Sequence, residues 1–222
     1  MMERIFPSTP TPLSIVLDRK LLKEPDVALL TVEKVTQKEF QSLLTLVKRA
    51  IQLPHENNES LRADFSESLE DIREIRGYLD KINFQNSQQR ESDSLIALIH
   101  ATDHIQRLAR RCTEDLDRAE LLSNQPELSD ATILLDEALK GALQALDDDD
   151  WLAARSATEE AFTRIDDLEH PRRAEIYEGV ARGDLSVTTA TDFADSMRWL
   201  TRVSRHIYRS CYYLHGAVLK PK

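Results

Sequence analysis

Between Phe193 and Leu214 the apolar residues Phe193, Met197, Leu200, Val203, Ile207, Cys211 and Leu214 recur at steps of three and four, with no Pro or Gly among them. That rhythm places them in one stripe along a helix of about 3.6 residues per turn. Arg198, Arg202, Arg205 and Arg209 keep the same rhythm. Their stripe falls roughly opposite the apolar one, so the segment predicts a long helix with one buried face and one basic face.

Five earlier segments carry the same period. Leu29, Leu30, Val32, Val35, Phe40, Leu43, Leu44, Val47 and Ile51 predict a first helix over 26–52, stopped by Pro54 and followed by a polar loop at 55–60. A second, over 59–83, turns Phe65, Leu69, Ile72, Ile75 and Leu79 inward and is weakened at Gly77. Asn86 to Gln89 offers cap and turn residues for a third, over 89–122, which buries Leu95, Leu98, Thr102, Ile105, Leu108, Cys112, Leu116 and Ala119. A fourth covers 130–146 and a fifth 151–181, with Pro171 as a place to bend. Gly183 to Ser186, GDLS, reads as the stop of the fifth helix and the cap of the last. Asp147 to Asp150 stand where carboxylates meet the positive end of the fifth helix. Four consecutive aspartates lack the spacing of a cation loop, so capping is their expected role.

An offset of 95 residues carries Ile105-Gln106-Arg107-Leu108-Ala109-Arg110-Arg111-Cys112 onto Leu200-Thr201-Arg202-Val203-Ser204-Arg205-His206-Ile207. The same offset pairs Phe40 with Leu135, Leu44 with Leu139, Val47 with Ala142 and Ile51 with Leu146, on the first and fourth helices. Three helices, a break at Ser123–Ser129, and three helices again predict an all-α fold. It is expected to be two tandem antiparallel three-helix bundles packed side by side, over 27–123 and 129–217. Residues 1–26 hold four of the eight prolines and read as an extended leader with one helical turn around Leu17 to Leu22.

Composition narrows the function classes. A formal charge of −10 and a pI of about 5.1 exclude a general nucleic-acid or anionic-membrane binder, although local basic stripes remain. No apolar run approaches the roughly 20 residues that span a bilayer, and MMERIFPS lacks the apolar core of a signal peptide, so a soluble cytoplasmic chain is expected. Cys112 and Cys211 are the only cysteines and both fall on apolar faces. They predict buried free thiols in a reducing compartment. His100 and His104 are spaced like two zinc ligands, but no Glu completes the frame and no third ligand is evident, so they are expected to face solvent. Trp151, Trp199, Tyr212 and Tyr213 are expected to pack or to anchor an interface. No glycine-rich nucleotide loop and no nucleophile motif is present. Neither an enzyme nor a bound cofactor is expected.

The paired trios with a related motif on each third helix resemble the PhoU family of phosphate-regulation proteins. Ala181-Arg182-Gly183-Asp184-Leu185-Ser186, followed by the helix from Trp199 to Tyr208, is similar to the family's entry into its last helix. The stretch from Leu17 to Leu29, LDRKLLKEPDVAL, is similar to the segment that joins the membrane part of sodium/phosphate cotransporters to their C-terminal PhoU-like domain. The resemblance implies a regulatory domain whose partner is a membrane phosphate transporter, its own upstream transmembrane part included, or a phosphate-signalling protein, at the inner face of the membrane. Homodimerisation is a further option. Relatives commonly place two carboxylates four residues apart on each third helix, where they bind metal. Here the matching positions are Gln106 and Arg110, and Thr201 and Arg205, so the resemblance implies that the metal clusters are lost. Arg107, Arg110, Arg111, Arg202, Arg205 and Arg209 then form a candidate face for an anion or an acidic partner. The plainer alternative pairs them with Asp103, Glu114, Asp115 and other acids. Two other functions stay open: a metal-binding protein that uses Asp103, Asp192 and Asp195, and a helical adaptor with no phosphate role.

Overall fold

A computed structural model describes residues 13–52, 58–83, 89–122 and 125–217. Among these residues every regular element is a helix: α1 (Leu13–Val16), a 3-10 turn (Arg19–Lys23), α2 (Pro25–Gln52), α3 (Asn58–Leu79), α4 (Gln89–Glu114), α5 (Leu116–Leu121), a second 3-10 turn (Pro126–Leu128), α6 (Ser129–Asp147), α7 (Trp151–Arg182) and α8 (Val187–Ala217). The expected stop at Pro54, the cap near Asn86 and most of the proline-rich leader lie outside the described residues.

The six predicted helices are all present, with two changes. The third is broken at Asp115 (φ −117°, ψ 33°), which divides it into α4 and α5. Leu116 and Ala119 remain buried beyond the break, and α5 turns against α8. The second helix ends at Leu79 instead of 83, because the chain turns at Asp80–Lys81 and tucks Ile82 into the core. The helical turn expected around Leu17 to Leu22 is present as the 3-10 turn Arg19–Lys23. Leu17 is buried, and the backbone carbonyl of Asp18 accepts a hydrogen bond from the Tyr78 hydroxyl at 3.2 Å, which fastens the first 3-10 turn to α3.

Within the first trio α2 meets α3, α3 meets α4 and α2 also touches α4; within the second, α6 meets α7, α7 meets α8 and α6 touches α8. The most extensive pair joins the trios: α4 against α8. Leu98, Ile105, Leu108 and Cys112 of α4 therefore share one continuous core with Leu200, Val203, Ile207 and Cys211 of α8. Packing on both α4 and α7 buries more of α8 than its apolar stripe alone. Thr201, Ser204 and Ser210 are buried as well, their hydroxyls bonded to the carbonyls of Met197 (3.2 Å), Thr201 (3.0 Å) and His206 (2.8 Å). A helical Ser or Thr that bonds its own preceding turn needs no other partner and packs as a small core residue.

The turns do what their residues predict. Gly183 takes φ +82° and closes α7, with its N–H on the carbonyl of Val180 and that of Asp184 on Gly179. The Ser186 hydroxyl accepts from the N–H of Thr189 at 3.1 Å and starts α8. In the aspartate run the Asp150 carboxylate accepts from the N–H of Ala153 at 2.9 Å as the cap of α7. Asp149, at φ 56°, accepts from the Trp151 indole at 3.1 Å, and Asp147 accepts from Gln41 of α2 at 2.6 Å. Each of these three carboxylates thus fixes a helix end or joins two helices.

The cap has a measurable weight. Asp150→Ala is expected to cost about 1 kcal/mol, read as a melting temperature lower by about 2–4 °C for a chain of this size, whereas Asp150→Asn keeps most of the stability. Equal loss in both variants would show that the cap hydrogen bond is not what the carboxylate supplies.

Candidate functional site

The arginines of the predicted basic stripes do not form one face. The packing of α4 on α8, together with α3 and α5, sorts them into two clefts along the seam and an outer aromatic surface.

The larger cleft, about 440 Å³, is lined by Arg76 from α3, by Asp103, Gln106, Arg107, Arg110 and Arg111 from α4, and by His206 from α8. Arg107, Arg110 and Arg111 stand three and four residues apart, which puts them on one face of α4. Asp103 holds the Arg107 guanidinium at 2.9 Å, Asp115 holds Arg111, and Gln106 accepts from Arg76 at 2.9 Å. Arg110 has neither an ion-pair nor a hydrogen-bond partner among the described residues. The smaller cleft, about 170 Å³, lies on the other side of Arg111 and takes Asp115, Arg118, Asp195, Arg198, Trp199 and Arg202. Asp195 is shared by Arg198 at 3.0 Å and Arg118 at 3.6 Å. Arg202, like Arg110, has no such partner among the described residues.

The 95-residue offset relates the two clefts. It pairs Arg111 with His206, and both line the larger cleft; it pairs His104 with Trp199, which lines the smaller one beside Arg111. Arg111 and His206, related in sequence, thus line one cleft across the α4–α8 seam.

Arg205 and Arg209 belong elsewhere. Arg205 reaches Asp166 of α7 at 3.4 Å and lies over the Phe162 ring, while Arg209 lies over Tyr208. Arg155 covers Tyr212 at 4.5 Å, and Phe162 stacks on Tyr208, so α7 and α8 share an outer surface of rings capped by guanidinium groups. Of the two motif positions on α8, Arg205 is on this surface and Thr201 is in the core.

His104 does not face solvent as its spacing from His100 suggested. It is partly buried at the seam with its Nδ1 3.2 Å from Nδ1 of His206, and its ring stacks on Tyr213, which also stacks on the exposed His100. Burial pushes both seam histidines toward the neutral form. His206, with His104, Arg107, Arg205 and Arg111 adding repulsion, is held down to about 4. His104 is lowered in the same direction, again mainly by burial. Neutral imidazoles suit the spacing, since one ring N–H can donate to the other ring's lone pair.

The acids considered for metal binding are held by arginines. Asp103 is on Arg107, Asp192 is on Arg118 at 3.2 Å, and Asp195 is on Arg198 and Arg118. Cys112 and Cys211 are free, fully buried thiols, and burial raises both, Cys211 to about 12.

Arg76, Arg118, His206 and the indole of Trp199 were not among the candidates read from sequence. Each belongs to the seam through tertiary packing. The one signal for them in the chain is the repeat offset, which places His206 opposite Arg111. No family model, no curated protein and no solved structure matches the chain. The case for a function therefore rests on the residues themselves.

The seam histidines set a pH dependence. Unfolded histidine titrates near about 6.5, whereas His206 in the fold stays neutral down to about 4. Between those values the unfolded chain binds the extra proton, so stability falls as pH drops through that window. His206→Gln is expected to remove this contribution, giving a shallower loss of melting temperature from pH 7 to pH 4.5 than in the wild type. Identical slopes would refute it. The comparison is made between the two proteins because Glu33 and Glu39, raised by burial, oppose the trend in both.

Proposed function

We propose that the chain is a non-enzymatic, PhoU-like regulatory domain linked to phosphate transport, which acts by contact with a membrane phosphate transporter or a phosphate-signalling protein. Such a domain works at the cytoplasmic face of the membrane, either beside a transporter or as its cytosolic part. The resemblance of Leu17 to Leu29 and of Ala181 to Ser186 supports the link to phosphate transport. Among the described residues no helix is long and apolar enough to cross a membrane.

One observation carries the reading. At Gln106 and Arg110, where the resemblance calls for a pair of metal-binding carboxylates, the side chains line a cleft dominated by guanidinium groups, and Arg110 keeps its charge uncommitted. A fixed positive charge opposes a metal cluster and favours an acidic or anionic partner. The shared core makes the domain rigid, so docking biases a transporter to the extent that the seam fits one of its conformations better than another.

A photo-crosslinking amino acid in place of Arg202, activated in cells, is expected to capture a phosphate transporter or a component of phosphate signalling. Capture confined to proteins with no connection to phosphate would support the adaptor reading instead. Elemental analysis bears on the other alternative: stoichiometric iron or zinc in the purified protein would contradict the loss of the metal sites.

A further inference from the structure

We propose that the larger cleft, between α3, α4 and α8, binds a compact oxyanion carrying two or more negative charges, of the pyrophosphate or phosphomonoester class. The inference stands on the cleft's chemistry and does not depend on which protein the domain meets.

Three features of the cleft select this ligand. The first is charge. Arg76, Arg107, Arg110 and Arg111 face Asp103 as the only carboxylate of the lining among the described residues, in a chain whose formal charge is −10. His206 stays neutral above the window given earlier, so it adds no charge of its own and its ring can still take part in a hydrogen bond. The second is preparation. Asp103, Asp115 and Gln106 each hold one arginine by a single contact to its guanidinium. A guanidinium has five N–H donors in a planar fork, so each held arginine is oriented and still has donors to give. Arg110 has made no such commitment among the described residues. The third is size. About 440 Å³ falls within the range of small-molecule clefts, roughly 300–1,000 Å³.

The number of charges follows from the same setting. The negative field of the whole chain works against any anion at long range. A monovalent ion recovers one charge-assisted contact, whereas a tetrahedral oxyanion with two or more charges accepts paired N–H groups from several guanidiniums at once. Arg107 and Arg111 are paired with Asp103 and Asp115, whereas Arg76 and Arg110 have no carboxylate partner among the described residues, and a bound anion relieves their mutual repulsion. Binding is therefore coupled to stability.

The test is a calorimetric titration of the purified full chain at fixed ionic strength with sodium pyrophosphate, inorganic phosphate and chloride, alongside thermal melts in the same salts. Saturable binding of one pyrophosphate per chain, tighter than phosphate and absent for chloride, is the expected result, with a matching rise in melting temperature. Arg110→Ala makes no ion pair to lose and should fold normally, yet weaken binding by roughly tenfold or more. Arg110→Lys should recover only part, because an ammonium lacks the fork. Arg49→Ala, a surface arginine on α2 paired with Asp64, should leave binding unchanged. A second arm uses vesicles containing phosphatidic acid against pure phosphatidylcholine. Binding to those vesicles that also requires Arg110, with none to free pyrophosphate, assigns the phosphomonoester to a lipid headgroup. The proposal is overturned if melting tracks ionic strength alone, if Arg110→Ala binds like the wild type, or if neither source binds. These measurements use the isolated protein, so their failure leaves the cellular crosslinking result to speak separately for the partner.

Discussion

The contact between α4 and α8 constrains everything else in the protein. It is the most extensive helix pair among the described residues, and it joins helices that lie far apart in the chain. Thr201, Ser204 and Ser210 of α8 are buried among its neighbours while bonding their own helix. With α7 packed on another side, α8 is left with narrow exposed strips. Those strips carry Arg198, Arg202, Arg205 and Arg209, and their position relative to α4 and α7 decides which arginine meets which acid.

Electrostatics along the seam follows from that geometry. Several arginines of this acidic chain line the clefts where α4 and α8 converge, and exposed ion pairs of the kind formed by Arg107 with Asp103 each contribute little, roughly 0.2–1 kcal/mol. Their larger effect is orientation: the pairs hold guanidinium groups around the clefts in fixed poses. The histidine pair stays neutral in the middle of this charge, which keeps the seam from adding more repulsion at neutral pH. The indole N–H of Trp199 and the hydroxyl of Ser196, both on α8, are buried without a hydrogen-bond partner among the described residues, a polar cost for which the structure offers no compensation.

Helix positions were legible in the sequence because apolar period and end signals act locally. The fourth helix, expected over 130–146, spans Ser129–Asp147, and GDLS closes and opens helices as its residue types predict. The break at Asp115 was not legible, since the apolar rhythm continues through Leu116 and Ala119 on both sides of it. Burial of the serines on α8 was not legible either, because it depends on helices packing on two sides and on hydroxyls bonded to the preceding turn. The candidate site was legible in its residue types and not in its grouping. Arg107, Arg110 and Arg111 stay together because they share a helix face, while Arg205 departs for Asp166 and Phe162 because α7 packs beside it. His104 met His206 through tertiary contact between residues 102 apart in the chain, which no local pattern encodes.

The central claim is that both halves of the chain share one core through α4 and α8. Native-state hydrogen exchange across a denaturant series tests it directly. The account predicts that amides in the middle of α4 and of α8 exchange through the same opening, the one with the highest free energy in the protein, and respond to denaturant with the same slope. Protection of α8 that persists while α4 opens separately at lower free energy would contradict it.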